Sequence, residues 1–207
     1  MTRSRARRAL PILLSILLAL GAGASTAEAG PLVQSAKNCT SGTTQKAFLR
    51  WLDPLNYTLV PAGSFESGAT GWKLSKASVV SGNEPFYVHG ARESRSLSIS
   101  SGGSATTPTL CVGIDKPVLR FFARSSGGGL LNLLRAEVLF ESSTGAVLSL
   151  PVGVVTPGGW APTLPMPVLA SLLPLLPGGQ TPVQFRFTPL GSASWQIDDV
   201  YVDPRKQ

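Results

Sequence analysis

Glu66 and the adjacent pair Asp198-Asp199 are the side chains whose type and placement give them chemistry to do. Carboxylates gathered at a turn with free backbone carbonyls bind Ca²⁺, which takes about six to eight oxygens and accepts irregular geometry. Glu66 with Asp198 would also suit a glycosidase if the two were held about 5 to 9.5 Å apart across a cleft. Calcium explains that pair better. Glu84, Glu93, Glu137 and Glu141 are the other acids on offer, and Glu137 and Glu141 fall on the polar face of a strand, where solvation is the default. The plain alternative for the first three is a solvated Glu and two Asp that discourage edge-to-edge strand pairing.

Nucleophilic catalysis has little to work with. His89 is the single histidine, at the end of a β-prone run, and no Gly-x-Ser-x-Gly elbow is present. It reads as a surface residue, and no catalytic residue is assigned. Gly127-Gly128-Gly129 reads as a flexible hairpin tip, not a phosphate loop. Cys39 and Cys111 are the two cysteines; in an oxidising compartment they read as one disulfide. It would close a loop of about 72 residues, worth roughly 4 kcal/mol by chain entropy. A buried thiol is the alternative, since a metal site lacks partners. Sugar recognition pairs aromatic faces with hydrogen-bonding side chains. Trp195 reads as core, while Trp72, Trp160 and Tyr87 either lie exposed or, the weightier reading, cap the ends of a core.

The elements that must hold these residues are strands. Tyr57–Val60, Val79-Val80, Phe86–Val88, Leu97–Ser100 and Val118–Arg124 are short β-prone runs set apart by Gly, Asn and Pro. Period-two alternation puts Ala136, Val138 and Phe140 on one face, then Val183, Phe185 and Phe187, then Trp195, Ile197 and Tyr201. Such spacing predicts an all-β, two-sheet antiparallel sandwich spanning 56–204, with residues 30–55 as an N-terminal arm tied to it. One short helix is expected at Val168–Leu173, inside the Pro/Leu-rich loop 161–179. That loop's leucines read as a cap on the sandwich, or, on a second reading, as a protein-binding surface.

The composition narrows the class further. Gly and Pro number 22 and 17 of 207 residues, which excludes a coiled coil, and 43% apolar residues exclude a disordered tail. Residues 1–29 read as an export signal: Arg3, Arg5, Arg7 and Arg8, an apolar run Leu10–Ala22, then Ala27-Glu28-Ala29 before a cleavage at Gly30. The run is shorter than the roughly 20 residues a membrane span needs, so no span is expected and the protein is read as secreted. Without 1–29 the formal +7 becomes +4, with 14 basic and 10 acidic residues left. The basic residues are scattered, so no nucleic-acid partner is expected.

Gly63-Ser64-Phe65-Glu66, then Gly71-Trp72, and at the far end Ser194-Trp195-Gln196-Ile197-Asp198-Asp199-Val200-Tyr201-Val202 resemble the two ends of a jelly-roll carbohydrate-binding module of the galactose-binding-like class. Such modules open on Asn-Gly-x-Phe-Glu, continue to Gly-Trp and close on Ile-Asp-Asp-Val. The likeness rests on these short motifs about 140 residues apart, and Ala62 stands where the opening Asn is usual. It implies a jelly-roll sandwich, a structural calcium at Glu66, Asp198 and Asp199, and a carbohydrate or cell-surface glycan as ligand. No sugar-contacting aromatic carries over. First and last strands of a jelly roll are often neighbours, which would bring Glu66 to Asp198-Asp199. Strict alternation leaves a conflict, because Val200 would then share the face of Asp198. A secreted, non-catalytic binding domain is the preferred reading; a structural protein and a hydrolase on a jelly-roll scaffold are the others.

Overall fold

Alternation builds the layers. The structure, a computed structural model, describes residues 30–36, 42–113, 117–127, 129–168 and 180–203. Its elements are α1 (Pro31–Ser35), β1 (Thr44–Gln45), a 3-10 turn (Leu49–Trp51), β2 (Tyr57–Leu59), β3 (Lys73–Ser81), β4 (Arg95–Thr106), β5 (Leu110–Gly113), β6 (Val118–Ser125), β7 (Leu134–Glu141), β8 (Val147–Val155), β9 (Ala161–Pro162), β10 (Met166–Pro167), β11 (Gln180–Pro189) and β12 (Trp195–Asp203). The described strand pairings are antiparallel, and they give a β-sandwich made from one hydrogen-bonded sheet turned over on itself. One limb runs β3-β4-β12-β6; the other runs β11-β7-β8, with β5 also on β11. β4 belongs to both: Leu97 to Ile99 pair with β12, and Ala105 and Thr106 pair with β11.

The core between the limbs is apolar side chains from alternate positions. Leu97, Ile99, Phe121, Ala123, Trp195 and Ile197 come from one limb, and Ala136, Val138, Phe140, Val183, Phe185 and Phe187 from the other. Phe121 meets Phe187 edge-on at 4.9 Å. A second cluster lies on the outer face of the first limb, where Phe48, Tyr57, Phe122 and Tyr201 are buried under the N-terminal segment.

Tyr201 therefore does not share the face of Trp195 and Ile197, as strict alternation predicted. β12 shifts register against β6 between Asp198 and Tyr201, and Asp199 sits there at φ 46°. The extra residue of this bulge flips the parity. Val200 and Val202 enter the main core, Tyr201 the outer one, and the conflict over Val200 and Asp198 disappears.

Other expectations change with the topology. Residues 86–88 are loop, not strand, and β8 was not anticipated. β6 and β7 flank the triple glycine but pair with other strands, so it is not a hairpin tip. Glu137 and Glu141 are buried, not solvated. Glu137 pairs with Arg186 at 3.0 Å, and Glu141 accepts from the backbone N–H groups of Leu32 and Val33. The short helix described is α1, in the arm; the expected helix after Val168 and most of its loop lie outside the described residues, as do residues 1–29 and Cys39.

Candidate functional site

The opening and closing motifs meet. Val60 N donates to Val200 O at 2.8 Å and Val200 N donates to Gly63 O at 3.1 Å. A Cβ at Gly63 would lie 2.8 Å from Val60 O and 2.9 Å from Val200 O, so the close approach requires glycine. Phe65 and Trp72 stack edge-on at 5.0 Å inside the core, and Trp72 Nε1 donates to Pro61 O at 2.9 Å. Trp72 is thus a core residue.

Five carboxylates converge on the loop between β3 and β4. Glu66 Oε1 accepts from Ser94 N at 2.8 Å and Arg95 N at 2.7 Å. Asp198 Oδ2 accepts from Glu84 N at 3.1 Å, and its Oδ1 from Asp199 N at 2.9 Å. Glu84 closes the loop on itself by accepting from Phe86 N and, at 2.7 Å, from Val88 N. Asp199 Oδ2 takes His89 N at 3.2 Å; Glu93 takes Gly90 N at 3.0 Å and contacts His89 Nδ1 at 2.5 Å. The sequence reading assigned Glu66, Asp198 and Asp199; Glu84 and Glu93 join them because an otherwise irregular loop must satisfy its backbone N–H groups.

This cluster is short of positive charge. Glu84, Asp198 and Asp199 are fully buried, and the described ion pairs supply His89 alone. Burial, with the negative charge of Glu93 and Glu84 beside it, pushes Asp198 up to about 8. Burial and the charges of Glu93, Asp198 and Glu84 push Asp199 up to about 9. Glu93 is also raised, by burial first and by Glu66 in part. Asp199 Oδ1 is buried without a hydrogen-bond partner. Donor atoms of His89, Glu93 and Asp199 lie within 4.8 Å of one another. Oxygens around one Ca²⁺ at about 2.4 Å span at most that separation. An orphaned oxygen, excess negative charge and hard carboxylate donors fit a divalent cation, with His89 the one donor foreign to calcium.

A second feature lies on the outer face of the first limb. Registers Gln196↔Ser98 and Gln196↔Arg124 line up three polar side chains across β4, β12 and β6, behind a core row of Leu97, Ile197 and Ala123. Arg124 Nε donates to Gln196 Oε1 at 2.8 Å, and its guanidinium lies 5.3 Å from the ring centre of half-buried Trp160. A hollow of about 270 Å³ opens here, lined by Ser98, Arg124, Ser125, Ser126, Ser194, Trp195 and Gln196. The sequence held a signal for it, polar residues alternating with core ones at mid-strand, but nothing to say that the described residues leave this part of the face uncovered. Another hollow, of about 350 Å³, lies beside Arg50, Phe86 and exposed Tyr87.

Cys111 lies in β5, and no described cysteine is free. No described helix is long and apolar enough to cross a membrane.

No family model and no curated protein matches the sequence. Solved structures do match in fold. The xylan-degrading enzyme fragment of Clostridium thermocellum described as the CBM22-1–GH10 modules of xylanase 10B with xylohexaose aligns at TM-score 0.51 and 16% identity, over 72% of this chain and 29% of that one. A family 16 carbohydrate-binding module aligns at 0.46 and 14%, over 70% and 99%. A CBM61 module in complex with β-1,4-galactotriose aligns at 0.41 and 15%, over 70% and 96%. This chain spans under a third of the length of the first, and the likeness is one of fold.

Proposed function

We propose that this chain is an exported, non-catalytic carbohydrate-binding domain that holds a saccharide in the Ser98–Gln196–Arg124 hollow beside Trp160. The observation that carries the reading is that row: hydrogen-bonding side chains fixed by strand register, with one aromatic face at the edge. A sugar ring offers an apolar C–H face and a polar rim, which is what such a row recognises. Catalysis would need carboxyl groups that reach a substrate. Asp198, Asp199 and Glu84 have none of their surface exposed, and their oxygens serve the loop's backbone.

Calcium is part of the proposal. Asp199 and Glu93 would hold the ion, and Glu66 and Asp198 would fix the loop around it. Its contribution is charge neutralisation that lets these carboxylates stay ionised while buried. The basic, apolar and small-residue pattern of 1–29 supports export, and Cys39 would then bond to Cys111.

A glycan-array screen of the protein starting at Gly30, followed by calorimetry on the best ligand, tests the reading. Trp160→Ala and Gln196→Ala should each weaken binding about tenfold or more, and Tyr87→Ala should leave it unchanged. Loss with Tyr87→Ala alone would move the site to the other hollow; no saccharide bound at all would end the proposal.

A further inference from the structure

Two arginines of β6 share its outer face. Arg120 is buried, its Nη1 donates to Asp53 Oδ2 at 2.6 Å, and its guanidinium lies 4.1 Å over Phe48. Arg124 repeats the arrangement over Trp160, with Gln196 Oε1 on its Nε. The carboxylate is missing from the second set. Among the described residues Arg124 makes no ion pair, and its two terminal nitrogens have no hydrogen-bond partner.

We infer that Arg124 receives the carboxylate of an acidic saccharide, so that the ligand of this domain carries a uronate unit. The inference rests on the saccharide-binding reading above and narrows it. The lining of the hollow contains no acid: apart from Arg124 and Trp195 it consists of four serines and Gln196. Other acids among the described residues are engaged: Asp53 with Arg120, Glu137 with Arg186, Glu141 with α1, and Glu66, Glu84, Glu93, Asp198 and Asp199 with backbone N–H groups at the β3–β4 loop. A neutral sugar would be served by hydroxyl and amide groups alone. A planar guanidinium, held by an amide at Nε and lying over an indole at 5.3 Å from the ring centre, presents its outer edge in the fork that matches a carboxylate with two parallel hydrogen bonds. Charge-assisted bonds of that kind are about twice as strong as neutral ones. The volume of about 270 Å³ suits one sugar unit, below the about 300 to 1,000 Å³ of larger ligand pockets.

The test is calorimetry with matched trisaccharides containing galacturonate, glucuronate or mannuronate, each as free acid and as methyl ester, with a sulfated trisaccharide as a third arm. At least one free acid should bind tenfold or more tightly than its ester, with a gap that narrows as salt rises. Arg124→Gln should erase the gap, so that acid and ester bind with one and the same affinity, whatever that affinity is; Arg124→Lys, which keeps the charge but not the fork, should lose most of the gap. Melting curves of both variants establish that they fold. Equal affinity of every acid and its ester, or a gap retained in Arg124→Gln, would overturn the inference and leave neutral-sugar binding standing. Tighter binding of the sulfated arm would overturn the carboxylate assignment. Failure of every arm, neutral forms included, would instead remove the saccharide reading itself.

Discussion

Val200 N–H donates to the carbonyl of Gly63 at 3.1 Å, fastening the loop that opens the sandwich to the strand that closes it. The residue before Gly63 carries the cost of that geometry. Ala62 stands at φ 55°, in the left-handed region, where a non-glycine residue costs roughly 1–2 kcal/mol and Asn is tolerated better than Ala. Ala62→Asn, which restores the residue usual in the modules this motif resembles, should raise the melting temperature by about 2 °C or more. Thermal unfolding checks it; an unchanged or lower value would contradict the account.

The ion pair of Asp53 and Arg120 joins the N-terminal segment to β6. Burial opposes ionisation of Asp53, but hydrogen bonds from Tyr57 and Arg120 outweigh it and hold the carboxyl below its usual value. Its contribution is therefore present above the ordinary Asp pKa and disappears as pH falls through the lowered one. Asp53→Ala leaves Arg120 buried and unpaired, which costs about 3–5 kcal/mol and lowers the melting temperature by roughly 6–20 °C. Replacing both residues with apolar ones should recover most of that loss. A single variant as stable as the parent would refute the pair's role.

The acidic loop sets a pH dependence of opposite sign. Unfolded, Asp198 and Asp199 ionise near 4; folded, they keep their protons to about 8 and about 9. Between those values the unfolded chain binds fewer protons, so stability without calcium should fall as pH rises from about 4 towards 9. Saturating calcium at pH 8 should restore it, by about 2.7 kcal/mol at a hundred times the dissociation constant. Glu66→Gln and Asp199→Asn should each remove most of the calcium response. A chelated protein equally stable at pH 5 and pH 8, and indifferent to calcium, would leave no cation site.

If the chain is exported as proposed, thiol titration of the unfolded, unreduced protein should find no free thiol. Two thiols per chain would show Cys39 and Cys111 unpaired.

The sandwich was legible because its core strands obey period two: Ala136-Val138-Phe140 and Val183-Phe185-Phe187 entered the core as read. β12 was read correctly only up to Ile197, since a bulge at Asp199 is a backbone event that the side-chain pattern does not encode. The motifs were read as bringing Glu66, Asp198 and Asp199 together; in the structure the three bind separate backbone N–H groups at one loop, and the donor atoms that cluster are those of His89, Glu93 and Asp199. Glu84 and Glu93 were missed, because their partners are backbone N–H groups of their own loop. Arg124 could not be told from Arg120 in the sequence. Only the fold reveals that Asp53 reaches one and that no acid among the described residues pairs with the other.

The central claim is the saccharide in the Ser98–Gln196–Arg124 hollow. Titrating the ¹⁵N-labelled protein with its best array ligand, and following the Arg124 Nε–H, the Gln196 side-chain amide and the Trp160 indole resonances, tests it directly. Saturable shifts at these three groups, with Tyr87 and Arg50 unmoved, are the predicted result. Shifts confined to Arg50, Phe86 and Tyr87, or none at saturating ligand, would contradict it.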